Sequence, residues 1–158
     1  AFRHDGPSAV RYPRGHGPGV PLQQELSALP LGKGEIRRSG SRVALLAFGS
    51  LLAPALEAGD ILNASVANMR FVKPLDHALV KDLAFGHDLL VTLEENAVIG
   101  GAGAEVARSL EEQGLNTRLL RLGLPDRFTE HGDSALLLAQ LGLDARGIAE
   151  QVRRIIVD

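Results

Sequence analysis

The arrangement of hydrophobic and polar positions predicts strands alternating with helices. Residues 42–48, R-V-A-L-L-A-F, are apolar on both faces of a strand-length run. A strand covered by helices on both sides requires this. Residues 65–71, 88–93 and 117–122 are further strand-length runs, and residues 34–38 form a shorter, more polar one suited to a sheet edge. Helical stretches separate them. Ser50 is a candidate cap for a helix reaching about residue 61, with Pro54 tolerated only in its first turn. Pro54 and Gly59 together predict that this helix is shortened or bent. Asp76 is placed to cap a helix through about residue 84, and G-G-A-G at 100–103 opens another that ends before Gly114. Asp133 and Asp144 are suitable caps for two final helices, and in the last of these Ile148, Val152, Ile155 and Ile156 recur at helical spacing. The whole pattern predicts an α/β fold: a three-layer sandwich around a five-stranded, mostly parallel sheet.

The first thirty residues have a different character. Gly6, Pro7, Pro13, Gly15, Gly17, Pro18, Gly19, Pro21 and Pro30 punctuate them. Proline lacks an amide donor and glycine loses backbone entropy on folding, so no helix is expected there. One short strand is expected at residues 8–12, followed by an extended arm and linker, with a domain boundary near 31–33.

The length of 158 residues suits one domain plus an arm. Seventeen basic and nineteen acidic residues give a net charge of −2. The basic excess of a typical nucleic-acid binder is missing, so no nucleic-acid partner is expected. There is no cysteine, which removes disulfides, cysteine–zinc sites and cysteine nucleophiles from consideration. No apolar run approaches the roughly 18 residues of a membrane span, and no signal peptide is visible, so a cytoplasmic protein without a membrane partner is expected. The only methionine is Met69, and the chain does not begin with one. It therefore reads as a piece of a longer protein.

Candidate chemistry is sparse. The G-G-A-G turn before a helix resembles a phosphate cradle. It lacks the spacing of a dinucleotide fingerprint or a Walker motif, and a tight turn that brings helix and sheet together is the simpler reading. Glu94 and Glu95 end a strand where ligands of parallel sheets usually bind. Adjacent strand residues face opposite ways, so the two cannot form a catalytic dyad. The plainer expectation is that one carboxylate caps a loop or helix and the other pairs with a base. His4, His16, His77, His87 and His131 show no metal-ligand spacing. No self-sufficient catalytic set, cofactor site or metal site is found. Arg11 and Arg14 flank a proline in an extended segment, and guanidinium forks suit phosphate or carboxylate.

The segment D-G-P-S-A-V-R-Y-P-R-G at 5–15 closely resembles a signature of the 1-deoxy-D-xylulose-5-phosphate synthase family, which is related to transketolase. The resemblance continues in order through L-G-K-G at 31–34, A-F-G-S at 47–50, M-R-F-V-K-P-L-D at 69–76 and V-T-L-E-E-N-A-V-I-G-G-A-G at 91–103. It ends with G-L-P-D at 123–126 and L-G-L-D-A at 141–145.

This resemblance implies that residues 1–15 are the end of a pyrimidine-binding domain, 16–33 a linker, and 34–158 a transketolase-type C-terminal domain. It further implies a homodimeric enzyme that uses thiamine diphosphate and Mg2+. That enzyme condenses pyruvate with D-glyceraldehyde 3-phosphate, releasing carbon dioxide. The product, 1-deoxy-D-xylulose 5-phosphate, feeds isoprenoid, thiamine and pyridoxal synthesis. In the family the diphosphate and metal ligands and the glutamate that activates the pyrimidine lie in the N-terminal and pyrimidine-binding domains. Those domains are the expected partners of this chain, which by itself is expected to bind no cofactor and to be inactive. By motif, Arg14 corresponds to a residue cradling the glyceraldehyde phosphate, and Arg11 to a supporting one. The alternative is a non-catalytic assembly module of a transketolase or 2-oxo-acid dehydrogenase type enzyme.

Overall fold

The computed structural model describes residues 4–10, 12, 17, 19–21, 24–25 and 27–156. No helix or strand occurs among the described residues before Glu35, and residues 8–10 and 12 do not form the expected strand. From Glu35 onward the order is β1 (Glu35–Arg38), β2 (Val43–Ala47), α1 (Leu52–Leu62), β3 (Ser65–Asn68), α2 (His77–Gly86), β4 (Leu89–Ala97), α3 (Ala102–Glu112), β5 (Arg118–Leu124), α4 (Ser134–Gln140) and α5 (Ala145–Ile156). A single 3-10 turn, Gly49–Leu51, precedes α1.

The five strands form one sheet in the order β1-β3-β2-β4-β5. β1 runs antiparallel to β3 at one edge, and the other neighbours are parallel. Every residue of the central strand β2 is buried. Its side chains alternate between two cores. Val43, Leu45 and Ala47 join Val91 and Leu93 of β4 beneath α1 and α5, where Ala55, Ala58, Ile148 and Val152 are buried. Ala44 and Leu46 join Leu90 beneath α2 and α3, where Val80, Leu83, Val106 and Leu110 are buried. The continuous apolar run at 42–48 is thus explained by two helical layers, and the expected three-layer architecture is present.

Two local expectations are corrected. α1 runs unbroken for 11 residues. Pro54 sits in its first turn, where no intrahelical amide is needed. Gly59 lies where a Cβ would come within 2.6 Å of the Val66 side chain, so glycine there lets the helix approach β3. Ser50 caps nothing, because the turn and helix that follow β2 carry no side-chain cap. The other caps form as expected. Asp76 accepts from the Leu79 amide, Asp133 from those of Ala135 and Leu136, and Asp144 from that of Gly147.

Candidate functional site at the carboxyl edge of the sheet

The loops that follow β2, β3, β4 and β5 gather at one edge of the sheet. β2 leads through α1 to β3 on one side, and β3 leads through α2 to β4 on the other side of β2. The connections therefore diverge between β2 and β4, and the crevice at such a point is where open α/β sheets generally take ligands. Here it is bridged from within. The Ser50 hydroxyl, just past β2, donates to the Glu95 carboxylate near the end of β4.

Glu94 points to the opposite face, as strand alternation demands, and has no solvent exposure. Its two oxygens accept from the first amides of α3: Ala102 at 2.6 Å and Gly103 at 2.8 Å. The next two amides, Ala104 and Glu105, both donate to the Gly101 carbonyl. All four N-terminal amides of α3 are therefore satisfied within the chain, and none remains for a phosphate.

The glycines serve this arrangement. A Cβ on Gly101 would fall 2.1 Å from Glu94 Oε2 and 2.5 Å from the Ala97 carbonyl. A Cβ on Gly103 would fall 2.4 Å from Thr92 Oγ1 and 3.2 Å from Glu94 Oε1. Gly100 adopts φ +70°, a conformation other residues rarely take. The G-G-A-G turn is the mould around one buried carboxylate. The expectation that one of the paired glutamates caps a helix is met by Glu94. Its neighbour differs from expectation, since Glu95 accepts from a serine rather than pairing with a base.

The N-terminus of α2 is also occupied. Besides the Leu79 amide, the Asp76 carboxylate accepts from the Gly34 amide at 3.1 Å and from Lys33 Nζ at 3.5 Å. Burial works against its ionisation, but the two amides and the Lys33 ammonium outweigh this and hold the carboxyl below its usual range. Asp76 thus ties the start of α2 to the point where the N-terminal arm enters the domain. Sequence reasoning found the cap and missed the clamp, although L-G-K-G and K-P-L-D were both visible as motifs.

A groove of about 650 Å3 lies between these two helix starts, lined by Lys73, Pro74, His77, Gly101, Glu105 and Arg108 among others. Its charges are largely internally balanced. On α3, Arg108 bridges Glu105 and Glu112. The hydrogen bond from Arg108 holds the Glu105 carboxyl below its usual range, despite some burial. His77 Nδ1 lies 2.7 Å from the Ser109 hydroxyl. No group of three or more acidic, histidine or cysteine side chains able to hold a metal occurs among the described residues. The first four amides of α3 are all taken, and at the start of α2 those of His77, Leu79 and Val80 have acceptors within the chain, so too few free amides remain for a diphosphate and the described residues do not fit a thiamine diphosphate–magnesium site. Arg11 and Arg14, the two expected substrate-binding residues, lie outside the described residues. No described helix is long and apolar enough to cross a membrane.

Residues 32–148 match the protein family described as "Transketolase, C-terminal domain". The chain is 63% identical over 155 residues to a 1-deoxy-D-xylulose-5-phosphate synthase of Azoarcus sp. (strain BH72), covering 98% of this chain and 25% of the relative. It is 64% identical to the protein of the same name from Aromatoleum aromaticum, with the same coverage. The chain therefore spans about a quarter of the length of these curated relatives. Among solved structures, a split-gene transketolase described as an inactive beta4 tetramer superposes with a TM-score of 0.74 at 34% identity, over 80% of this chain and 43% of that one. A transketolase from Campylobacter jejuni shares the fold with a TM-score of 0.53 at 16% identity, over 78% of this chain and 18% of that one.

Proposed function

From the premise that the chain belongs to the transketolase C-terminal domain family, we propose that it is the C-terminal part of a 1-deoxy-D-xylulose-5-phosphate synthase. The observation that carries this reading is the identity of 63% along 98% of the chain, which includes the N-terminal arm as well as the folded domain. The whole enzyme condenses pyruvate with D-glyceraldehyde 3-phosphate and releases carbon dioxide. It works as a homodimer in the cytoplasm. Thiamine diphosphate supplies the carbanion chemistry when bound, and Mg2+ anchors its diphosphate. Their ligands come from the N-terminal and pyrimidine-binding domains, which precede this chain. The acceptors already held by the first amides of α3 and by most of those of α2 support that division, because they leave no anion cradle at these helix starts among the described residues. The chain alone is therefore inactive.

Within the chain, Arg14 contributes to holding the phosphate of glyceraldehyde 3-phosphate, with Arg11 in support. Residues 1–15 complete the pyrimidine-binding domain, 16–33 are the linker, and the catalytic residues lie outside the chain. In the full-length enzyme, loss of one charge-assisted phosphate contact costs about 1.5–3 kcal/mol. Arg14→Ala is therefore expected to raise KM for glyceraldehyde 3-phosphate by roughly tenfold or more while leaving KM for pyruvate little changed. Equal changes in both constants would refute the assignment of Arg14. A full-length enzyme that failed to form 1-deoxy-D-xylulose 5-phosphate would refute the function.

A further inference from the structure

The carboxyl edge of the sheet carries a continuous grooved band of largely apolar surface, with Lys73, His77, Glu105 and Arg108 at one end and Asp126 and Arg127 at the other. The 650 Å3 groove shares Val72, Gly100 and Gly101 with a neighbouring concavity that adds Ile99 and Ala97. Ala97 is shared in turn with a third, lined by Leu124, Pro125 and Phe128. Ile99 is 72% exposed, Phe128 fully exposed and Val72 44% exposed. The amides of Ile99 and Phe128 donate to no backbone acceptor among the described residues. The opposite edge is different in kind. Polar contacts mark it, among them the Arg42–Asp88 ion pair, and its exposed Phe85 lies under the Lys81 ammonium.

The arm enters the domain at this same carboxyl edge. Lys33 and the Gly34 amide are held by Asp76. Gly32, at φ +67°, lies so close to Pro74 that a Cβ would come within 2.8 Å of its ring. Pro74 is also part of the groove wall. Whatever precedes the arm is therefore tethered at the rim of the apolar band and presented to it at high effective concentration. The arm carries its own uncovered apolar side chains, Val20, Leu29 and Leu31. The curated relatives are about four times as long as this chain, so a large body is available to cover both.

We infer that the band running from Val72 through Ile99 to Phe128 is the docking face for the domain that immediately precedes the arm in the same polypeptide. The inference rests on the proposed place of this chain in a longer synthase and adds which face of the domain meets the rest. Exposed apolar bands of this kind on a domain usually mark an interface. The clamp at Asp76 sets the direction from which the partner arrives.

The test uses the full-length, active enzyme. A benzophenone amino acid is introduced separately at position 99, at position 128 and, on the opposite edge, at position 85. Mixed isotope labelling separates crosslinks within one polypeptide from those between subunits. Crosslinks from 99 and 128, but not from 85, to the preceding domain of the same polypeptide are expected. Amide exchange on the unmodified enzyme gives a second measurement, with slow exchange expected at Ile99 and Phe128. Fast exchange at both positions overturns the inference, as do crosslinks only to another subunit or equal yields from all three positions. In each of those cases an active enzyme leaves the proposed function standing. Loss of synthase activity in the unmodified full-length protein refutes the function instead.

Discussion

Removing the charge from Glu94 without changing its shape tests the central structural argument. In Glu94→Gln one side-chain oxygen can still accept from an amide at the start of α3. The other position becomes an NH2 group facing a second N–H donor. One charge-assisted hydrogen bond is lost, the other is weakened, and one buried amide is left without a partner. Hydrogen bonds to charged groups contribute about 1.5–3 kcal/mol each, and an unsatisfied buried donor costs about 1–3 kcal/mol. The favourable field at the helix N-terminus adds up to about 2 kcal/mol. These terms overlap, and neutralising the side chain also relieves the desolvation of a buried carboxylate, which works in the opposite direction. The expected net loss is about 2–4 kcal/mol. For a domain of this size that lowers Tm by roughly 5–15 °C. Urea unfolding followed by circular dichroism, with thermal melts in parallel, measures it. Glu95→Gln is the matched control. Glu95 is exposed and its partner among the described residues is Ser50, so its loss should stay within about 0.5 kcal/mol. If Glu94→Gln proves as stable as the parent, the carboxylate is merely tolerated in its site, and the reading of the G-G-A-G turn as its mould is wrong.

Two further substitutions probe the same edge. Gly101→Ala drives a methyl into the Glu94 carboxylate and should cost about 1–3 kcal/mol. Combined with Glu94→Ala, its additional cost in a double-mutant cycle should shrink without vanishing, because the Ala97 carbonyl still lies 2.5 Å from the new methyl. Asp76 ionises more readily in the fold than in the unfolded chain, because the Leu79 and Gly34 amides and Lys33 outweigh burial. Its stabilisation is therefore fully present well above 3.8 and is lost as pH falls below that value and through the lower folded value. Asp76→Asn should accordingly be less stable than the parent near neutral pH and converge with it in acid, as read from urea midpoints across pH. A constant difference at all pH values would refute the clamp's ionic component.

Much of this fold is legible from apolar runs and their punctuation. The run at 42–48 gives a central strand because only a strand with two covered faces keeps six consecutive positions, 43–48, out of water. Asp76, Asp133 and Asp144 announce helix starts because a short carboxylate reaches amides two or three residues ahead. The segment near Ser50 misleads for a related reason. A serine after a strand is a suitable cap by local chemistry, yet its hydroxyl meets Glu95 across 45 positions of chain. Pro54 and Gly59 suggest a shortened or bent helix when propensity alone is counted. Packing against Val66 makes Gly59 favourable in an intact one.

The family, the strand–helix alternation and the absence of cysteine chemistry were determined by the sequence alone, because each depends on residue identity and short spacing. Alternation also determined that Glu94 and Glu95 part company, since a strand has only two faces. Tertiary structure decided what each carboxylate does. It brings α3 back over the end of β4, so that the amides of 102 and 103 meet Glu94, and it closes β2 onto β4, so that Ser50 meets Glu95. It also folds the arm's end against Asp76 and leaves Val72, Ile99 and Phe128 uncovered along one edge. A hydrogen-bond donor looks the same in sequence whether its acceptor is a distant side chain, a ligand or water. Only the packed arrangement of sheet and helices determines which of them it meets.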